Sequence, residues 1–417
     1  MKNFKDSGIE WLGEIPEHWE VVKIKHIFNI GRGRVISQEE LDENGNFPVY
    51  SSQTTNNGIL GYIKTYDFDC EQITWTTDGV NAGTIFLRNG KYNCTNVCGI
   101  LKPRNNENMS FLTYALQNVA PYYKRPDTNG AKIMNNEMAN IQIIYPPLKE
   151  QEQIVNFLDE KCEQIANFIE KKEKLISLLK EQKQALLNET ITKGLNKNVN
   201  FKDSGIEWLG EIPQHWGINK LKFIAYVKGR IGFHGLNSKE FQYSKGAHLV
   251  TGNDFDNNEV AWDRCRRINE ERFYEDPNIH LQNNDLLVTK DGTIGKTAIV
   301  RNCPNQATLN SGIFLVRVME KLCLVKYLFY IINSQYFKEF VISKTCGSTI
   351  KHLYQSDFHE FKIPLPPLKE QEQIANFLDK KCEKIDLLIE KTKKQIELIK
   401  EYKTTLINQA VCGKISL

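Results

Sequence analysis

Two stretches of the chain carry a narrow apolar stripe on a charged background. In the first, Ile154, Leu158, Ile165, Ile169, Ile176, Leu179 and Leu186 are spaced by 4, 7, 4, 7, 3 and 7 residues, with Lys, Glu and Gln between them. In the second, Ile374, Leu378, Ile385, Ile389, Ile396, Ile399 and Leu406 repeat the same steps. A period near 3.5 predicts a long helix whose single apolar seam faces another helix. Prolines before each stretch fit a helix start, and Gly194 and Gly413 fit its end. Each helix spans about 45 residues, or roughly 65–70 Å at 1.5 Å per residue. Two such helices in one chain are expected to pack on each other as a coiled coil.

The regions 20–145 and 217–365 have a different rhythm. Short β-rich runs such as "EQITWTT", "GTIFL", "DLLVT" and "GIFLVRV" are separated by Gly, Asn and Asp turns. Late in each region comes an aromatic helical stretch, "SFLTYALQNVAPYYK" or "VKYLFYIINSQYFKEF". The fold class is therefore α+β, with two mixed α/β domains and two long helices.

The halves are copies. Residues 4–19 and 201–216 are identical at fifteen of sixteen positions, differing only at Glu17 and Gln214. "PPLKEQEQIVNFLDEKCEQI" at Pro146 returns as "PPLKEQEQIANFLDKKCEKI" at Pro366. Between these markers the second copy has gained 23 residues, since the offset grows from 197 to 220. At an offset of 213, Thr76, Asp78, Gly79, Thr84, Arg88, Asn89, Gly99 and Ile100 match Thr289, Asp291, Gly292, Thr297, Arg301, Asn302, Gly312 and Ile313. Two homologous halves associate naturally by a pseudo-two-fold, which would run the two helices antiparallel. Within each leader, Trp11/Trp208 and Trp19/Trp216 are expected to pack as a collar at the base of the domain.

Composition narrows the function. The net charge of +3 announces no polyanion binder, and residues 1–148 hold 14 Lys+Arg against 16 Asp+Glu, residues 198–368 hold 21 against 18. The footprint of a nucleic-acid binder can nevertheless be local. No apolar run reaches the ~18 residues of a membrane span, and the N-terminus lacks an apolar signal core, so a cytoplasmic protein is expected. Ten scattered cysteines, with Cys94 and Cys98 the closest pair, predict free thiols rather than a zinc site or disulfides. "DGTIGKTA" is not a phosphate loop, because Lys290 stands where that motif needs glycine. "GRGR" is a lone Gly-x-Gly, and "YPPL" and "PLPPL" lack the amide and aromatic residues of a methyltransferase motif. No catalytic constellation emerges.

What remains resembles the specificity subunit of a type I restriction–modification system. The carriers are "SGIEWLGEIPEHW" before each variable domain, "PLPPLKEQEQIANFLD" opening each long helix, "CGSTIKHL" and "LVTKDGTIGKTAIV". The resemblance spans the whole chain. It implies a target-recognition domain with its leader at 1–147, a spacer helix at 148–197, a second target-recognition domain at 198–367 and a second helix at 368–417. It implies that each domain reads one half of a bipartite, asymmetric double-stranded DNA target. It implies that the antiparallel helices set the gap and dock two methyltransferase subunits, which restriction/translocase subunits then join. The chain itself would be non-catalytic and bind no cofactor; S-adenosylmethionine, ATP and Mg would belong to the partners. The alternatives are a specificity subunit of a stand-alone adenine methyltransferase without a nuclease, or a coiled-coil scaffold.

Residues suited to base edges and phosphates lie in Gly/Asn-rich loops. In the first domain these are Arg32, Arg34, Ser51, Ser52, Gln53, Thr54, Asn56, Asn57, Lys124, Arg125 and Lys132. In the second they are Lys228, Arg230, His234, Lys290, Lys296, Lys344, Ser348, Thr349 and Lys351. Gln and Asn suit adenine edges; Arg and Lys suit guanine or phosphate. Arg88 and Arg301, matched in both copies, are expected to be structural or phosphate-binding, because domains that read different bases should differ in their base contacts.

Overall fold

The structure is a computed structural model that describes residues 3–9, 12–128, 130–230, 236, 240–242, 244–345 and 352–415. The chain folds as two compact units that cut across its order. Unit 1 comprises residues 1–173 and 393–417; unit 2 comprises 174–392. Each unit therefore holds one variable domain, the start of the helix that follows it and the end of the other helix. Among the described residues no helix is long and apolar enough to cross a membrane.

The two stripes form helices Leu148–Lys193 and Leu368–Val411, of 46 and 44 residues. They run antiparallel within each unit. In unit 2, Gly194, at the end of the first helix, lies beside Glu370, at the start of the second, and Lys183 pairs with Asp386 at 2.6 Å. In unit 1, Ile154, Leu158 and Ile165 share a core with Leu406, Ala410 and Val411. Both helices stop at a glycine with φ +69°, Gly194 and Gly413, a conformation that costs other residues roughly 1 kcal/mol or more. At Gly413, its own N–H and that of Lys414 return to the carbonyls of Ala410 and Gln409, satisfying the last turn.

The repeated motifs are the joints between each domain and its own helix. Glu150 takes a hydrogen bond from Trp19 Nε1 (3.0 Å) and lies 2.6 Å from His18 Nε2; Glu370 lies 2.8 Å from His215 Nε2. Gln151 and Gln371, both buried, donate to the carbonyls of Pro146 and Pro366. Tyr114 donates to Asp159 at 2.7 Å, and Tyr330 to Asp379 at 2.6 Å. The leader is a folded hook. Asp6 and Asp203 each accept the N–H two residues on, Ser7 and Ser204 bond back across Gly13 and Gly210, and Ile15, Trp19, Ile212 and Trp216 are buried. Trp208 departs from the expected collar: it is 43% exposed, so in the second leader only Trp216 packs. Trp11 lies outside the described residues.

Both domains share one strand plan. In unit 1 a sheet runs in the order Ile85–Arg88, Gln72–Thr76, Cys98–Pro103, Phe28–Arg32; in unit 2 the matching order is Thr297–Ile299, Leu286–Thr289, Ile313–Val318, Ala225–Gly229. Beside it, Phe47–Tyr50 pairs parallel with Lys91–Cys94, as Ala247–Val250 does with Ala307–Leu309. The ladders correct part of the fixed-offset match. Thr76 faces Cys98 and Thr289 faces Ile313, so Gly99 corresponds to Phe314 and not to Gly312. The register is kept, the chain between the two strands is two residues longer in unit 2, and the packing at the rung is exchanged. Trp75 lies opposite Gly99, where a Cβ would sit 2.1 Å from its ring, while in unit 2 the small Val288 lies opposite the large Phe314.

The turn after this strand is also one residue shorter in unit 2. Gly83 N–H bonds the Thr76 carbonyl as Gly295 N–H bonds that of Thr289. Lys296 therefore takes the place of Thr84, and Arg301 does not take that of Arg88. Arg88 is buried beneath Tyr50 and Phe86, bonded to Thr74 and to the Asn57 carbonyl. Arg301 bonds Asn284 at the surface.

Candidate nucleic-acid interface

In each unit the strand plan gathers loops at one edge. In unit 1, Thr95 N–H reaches the Tyr50 carbonyl (2.9 Å), Arg34 N–H that of Cys94 (3.1 Å), Thr77 N–H that of Val97 (3.0 Å) and Ile133 N–H that of Thr77 (2.8 Å). These bonds join the ends of five strands, and the last of them brings in the hairpin Arg125–Lys132. The threonine of the repeated Thr-x-Asp-Gly turn closes it: Thr76 Oγ1 accepts Thr84 N–H at 3.1 Å. Unit 2 builds the same edge. Asn310 N–H bonds Val250, Lys290 N–H bonds Gly312, Leu353 N–H bonds Lys290, and Thr289 Oγ1 accepts Lys296 N–H at 2.9 Å.

The candidates of the first domain come together at this edge, in distinct states. Arg34 is held by Glu40 (2.7 Å) and Asp67 (3.1 Å), and the Glu40 bond first, with Asp67, holds its guanidinium above the usual range. Arg125 pairs with Glu137, Lys132 with Asp127 at 3.0 Å, and Arg32 lies exposed with its Nη2 3.4 Å from the Met134 sulfur. The Lys124 stem occupies the space that a side chain at Gly83 would need. Ser51 bonds Thr95, the Ser52 carbonyl accepts from Asn81, and Gln53 donates to the Ile59 carbonyl. Thr54 is exposed; Asn56 and Asn57 turn the chain at φ 48° and 52°, which Asn tolerates well.

In the second domain the candidates divide. Lys290 extends over the Phe314 ring at 5.2 Å, Lys296 is exposed, and Lys228 is half-buried on its strand. Lys344 lies 3.7 Å from Asp357. Arg230 faces inward instead: it is 2% exposed, and its guanidinium bonds the Leu309 carbonyl and Thr308 Oγ1. Burial pushes it below the usual arginine range. Arg230 thus props the edge from behind, at a place that unit 1 gives to Gly33, where the Cys94 and Thr95 carbonyls leave no room for a side chain. His234, Ser348, Thr349 and Lys351 lie outside the described residues.

Reading along the chain overlooked three residues at this edge. Asp291 bonds His352, and Tyr354, 62% exposed, shelves the His352 ring at 4.6 Å. The signals in the sequence were the aspartate kept in both Thr-x-Asp-Gly turns and the place of His352 in "CGSTIKHL", but the two lie 61 residues apart.

Comparison with known proteins decides the family. The model of the type I restriction modification DNA specificity domain matches twice, over residues 16–188 and 236–398. The chain belongs to that family. A Mycoplasma pneumoniae protein named for a type I specificity subunit is 30% identical over 367 residues, covering 86% of this chain and 87% of that one. The type I restriction enzyme MjaVIII specificity subunit of Methanocaldococcus jannaschii is 27% identical over 440 residues, covering 99% and 96%. Among solved structures, a chain from a type I R-M system assembly shares the fold with TM-score 0.74 at 16% identity, covering 96% and 99%. The HsdS subunit from Thermoanaerobacter tengcongensis gives 0.53 at 15%. A DNA specificity subunit must bring polar side chains to base edges on a frame held rigid elsewhere. The shared joints and the divergent edge divide those tasks.

Proposed function

We propose that the chain is the non-catalytic recognition subunit of a type I restriction–modification complex. Each unit reads one half of a bipartite, asymmetric double-stranded DNA target. The long helices set the gap between the half-sites and dock two methyltransferase subunits. S-adenosylmethionine, ATP and Mg are held by those subunits and by the restriction/translocase subunits that join them, and the assembly works in the cytoplasm. The observation that carries this reading is the pair of homologous edges, alike in backbone and unlike in side chains. Two copies of one frame with different edges suit a target with two different halves. An antiparallel helix pair suits domains that address opposite strands.

The test is methylome sequencing of the host with and without the gene. The reading expects one bipartite motif, methylated on adenine in both halves, to vanish on deletion. Survival of every such motif would overturn it.

A further inference from the structure

The aspartate of the Thr-x-Asp-Gly turn occupies one place in both units, and so does the residue opposite it. Asp78 pairs in a ladder with Lys132, and Asp291 bridges to His352. The next residue is anchored identically, Ile133 to the Thr77 carbonyl and Leu353 to that of Lys290, and both are fully buried. The frame is therefore fixed to within one residue, while the side chain presented differs: lysine in one unit, histidine in the other. Each is steadied by a carboxylate, Lys132 by Asp127 and His352 by Asp291. A residue that contacts only phosphate has no reason to change between units; a residue that reads a base does.

We propose that His352 is a specificity-determining residue of unit 2, that Asp291 and Tyr354 position it, and that Lys132 holds the corresponding place in unit 1. This rests on the DNA-recognition reading given above. The His352 Nδ1–H donates to Asp291, which fixes the ring and leaves Nε2 as its second polar atom, on a side chain that is 30% exposed. Neutral, Nε2 accepts from an exocyclic amine of adenine or cytosine; protonated, it donates to guanine N7 or O6. Tyr354, edge-on to the ring at 66°, limits its swing.

The experiment is selection from a pool of randomised duplexes, then sequencing, with the full chain in its modification complex. The wild type is compared with His352→Ala, His352→Lys and Asp291→Asn. His352→Ala should lose about tenfold on the cognate duplex and nothing on an unrelated one, relaxing one position of one half-site. His352→Lys should move that position towards guanine, and Asp291→Asn should blur the same position less. The other half-site, read by unit 1, should stay intact in every variant, which reports that the chain is folded. Full retention of the wild-type motif by both His352 variants overturns the proposal. So does an equal loss on cognate and unrelated duplexes, which assigns the residue to phosphate. If the wild type itself selects no sequence, the recognition reading fails, and not the role of His352.

Discussion

In unit 1 the indole of Trp19 donates to Glu150; in unit 2 the indole of Trp216, in a nearly identical leader, has no hydrogen-bond partner among the described residues. Behind the leaders the contrast widens. Unit 1 packs Trp75 against Gly99, whereas unit 2 packs Val288 against Phe314 at the same rungs. The units thus keep backbone hooks, helix caps and carboxylate joints in common, and let volume and polarity drift wherever a neighbour drifts with them. A recognition domain can diverge freely so long as its joint to the helices does not.

The rung exchange offers the largest effect. Gly99→Phe alone should destabilise unit 1 by about 3 kcal/mol through overpacking, and Trp75→Val alone by about 3 kcal/mol through a cavity and the lost bond to the Ile133 carbonyl. The double variant, which copies unit 2, should recover at least about 1 kcal/mol against the sum. Urea unfolding of the three variants checks this, and strict additivity would show that the rungs are not exchangeable.

The helix caps come next. Gly413→Ala should cost about 2 kcal/mol, from its positive φ and a Cβ placed 2.8 Å from Pro16 and Trp19. Gly194→Ala should cost less, about 1 kcal/mol, since its nearest neighbours stand at 3.1 Å and one is the flexible end of Glu370. Thermal unfolding of the pair ranks them. Smaller still, Trp19→Phe should lose about 1 kcal/mol with its charged acceptor, while Trp216→Phe should be neutral or stabilising because it deletes an unpaired buried donor. Equal losses in the two leaders would erase the difference between them.

The smallest effect depends on pH. In unit 2 the Lys220 and Lys222 ammonium groups hold the exposed Glu360 carboxyl down at about 2; in unit 1 the corresponding residue is Asn140. A depressed folded-state value means that the contribution is present above the ordinary carboxylate range and is lost as pH falls towards about 2. Glu360→Gln should therefore lower the stability of unit 2 slightly near neutrality and hardly at all in strong acid. Amide exchange resolved by unit measures it, with unit 1 unchanged.

Much of this was legible in the sequence. The stripe from Ile154 to Leu186 marked the long helix, because a seam buried on one side leaves a period that needs no tertiary knowledge. The leader and the Pro-Pro motif marked the joints, because their bonds are made by the same residue types twice. The edge was less legible. Arg230 has the composition of a DNA contact but lies buried, since a side chain's direction at the end of a strand is set by what fills the space beside it. Asp291 and His352 were invisible as a pair because a cross-chain bridge leaves no local pattern. The match of Gly99 to Gly312 misled for a related reason: the rungs are kept, but the chain between the two strands is two residues longer in unit 2, so a fixed offset fails beyond it.

The most direct test of the account exploits the repeat. Residues 217–365, between Trp216 and Pro366, are replaced by a second copy of residues 20–145, which lie between Trp19 and Pro146 in the same context. The methylated motif of a host carrying this chimaera is then read by sequencing. The account predicts a symmetric target, the first half-site facing its own inverted copy. A folded chimaera that directs methylation to the original asymmetric motif would contradict it.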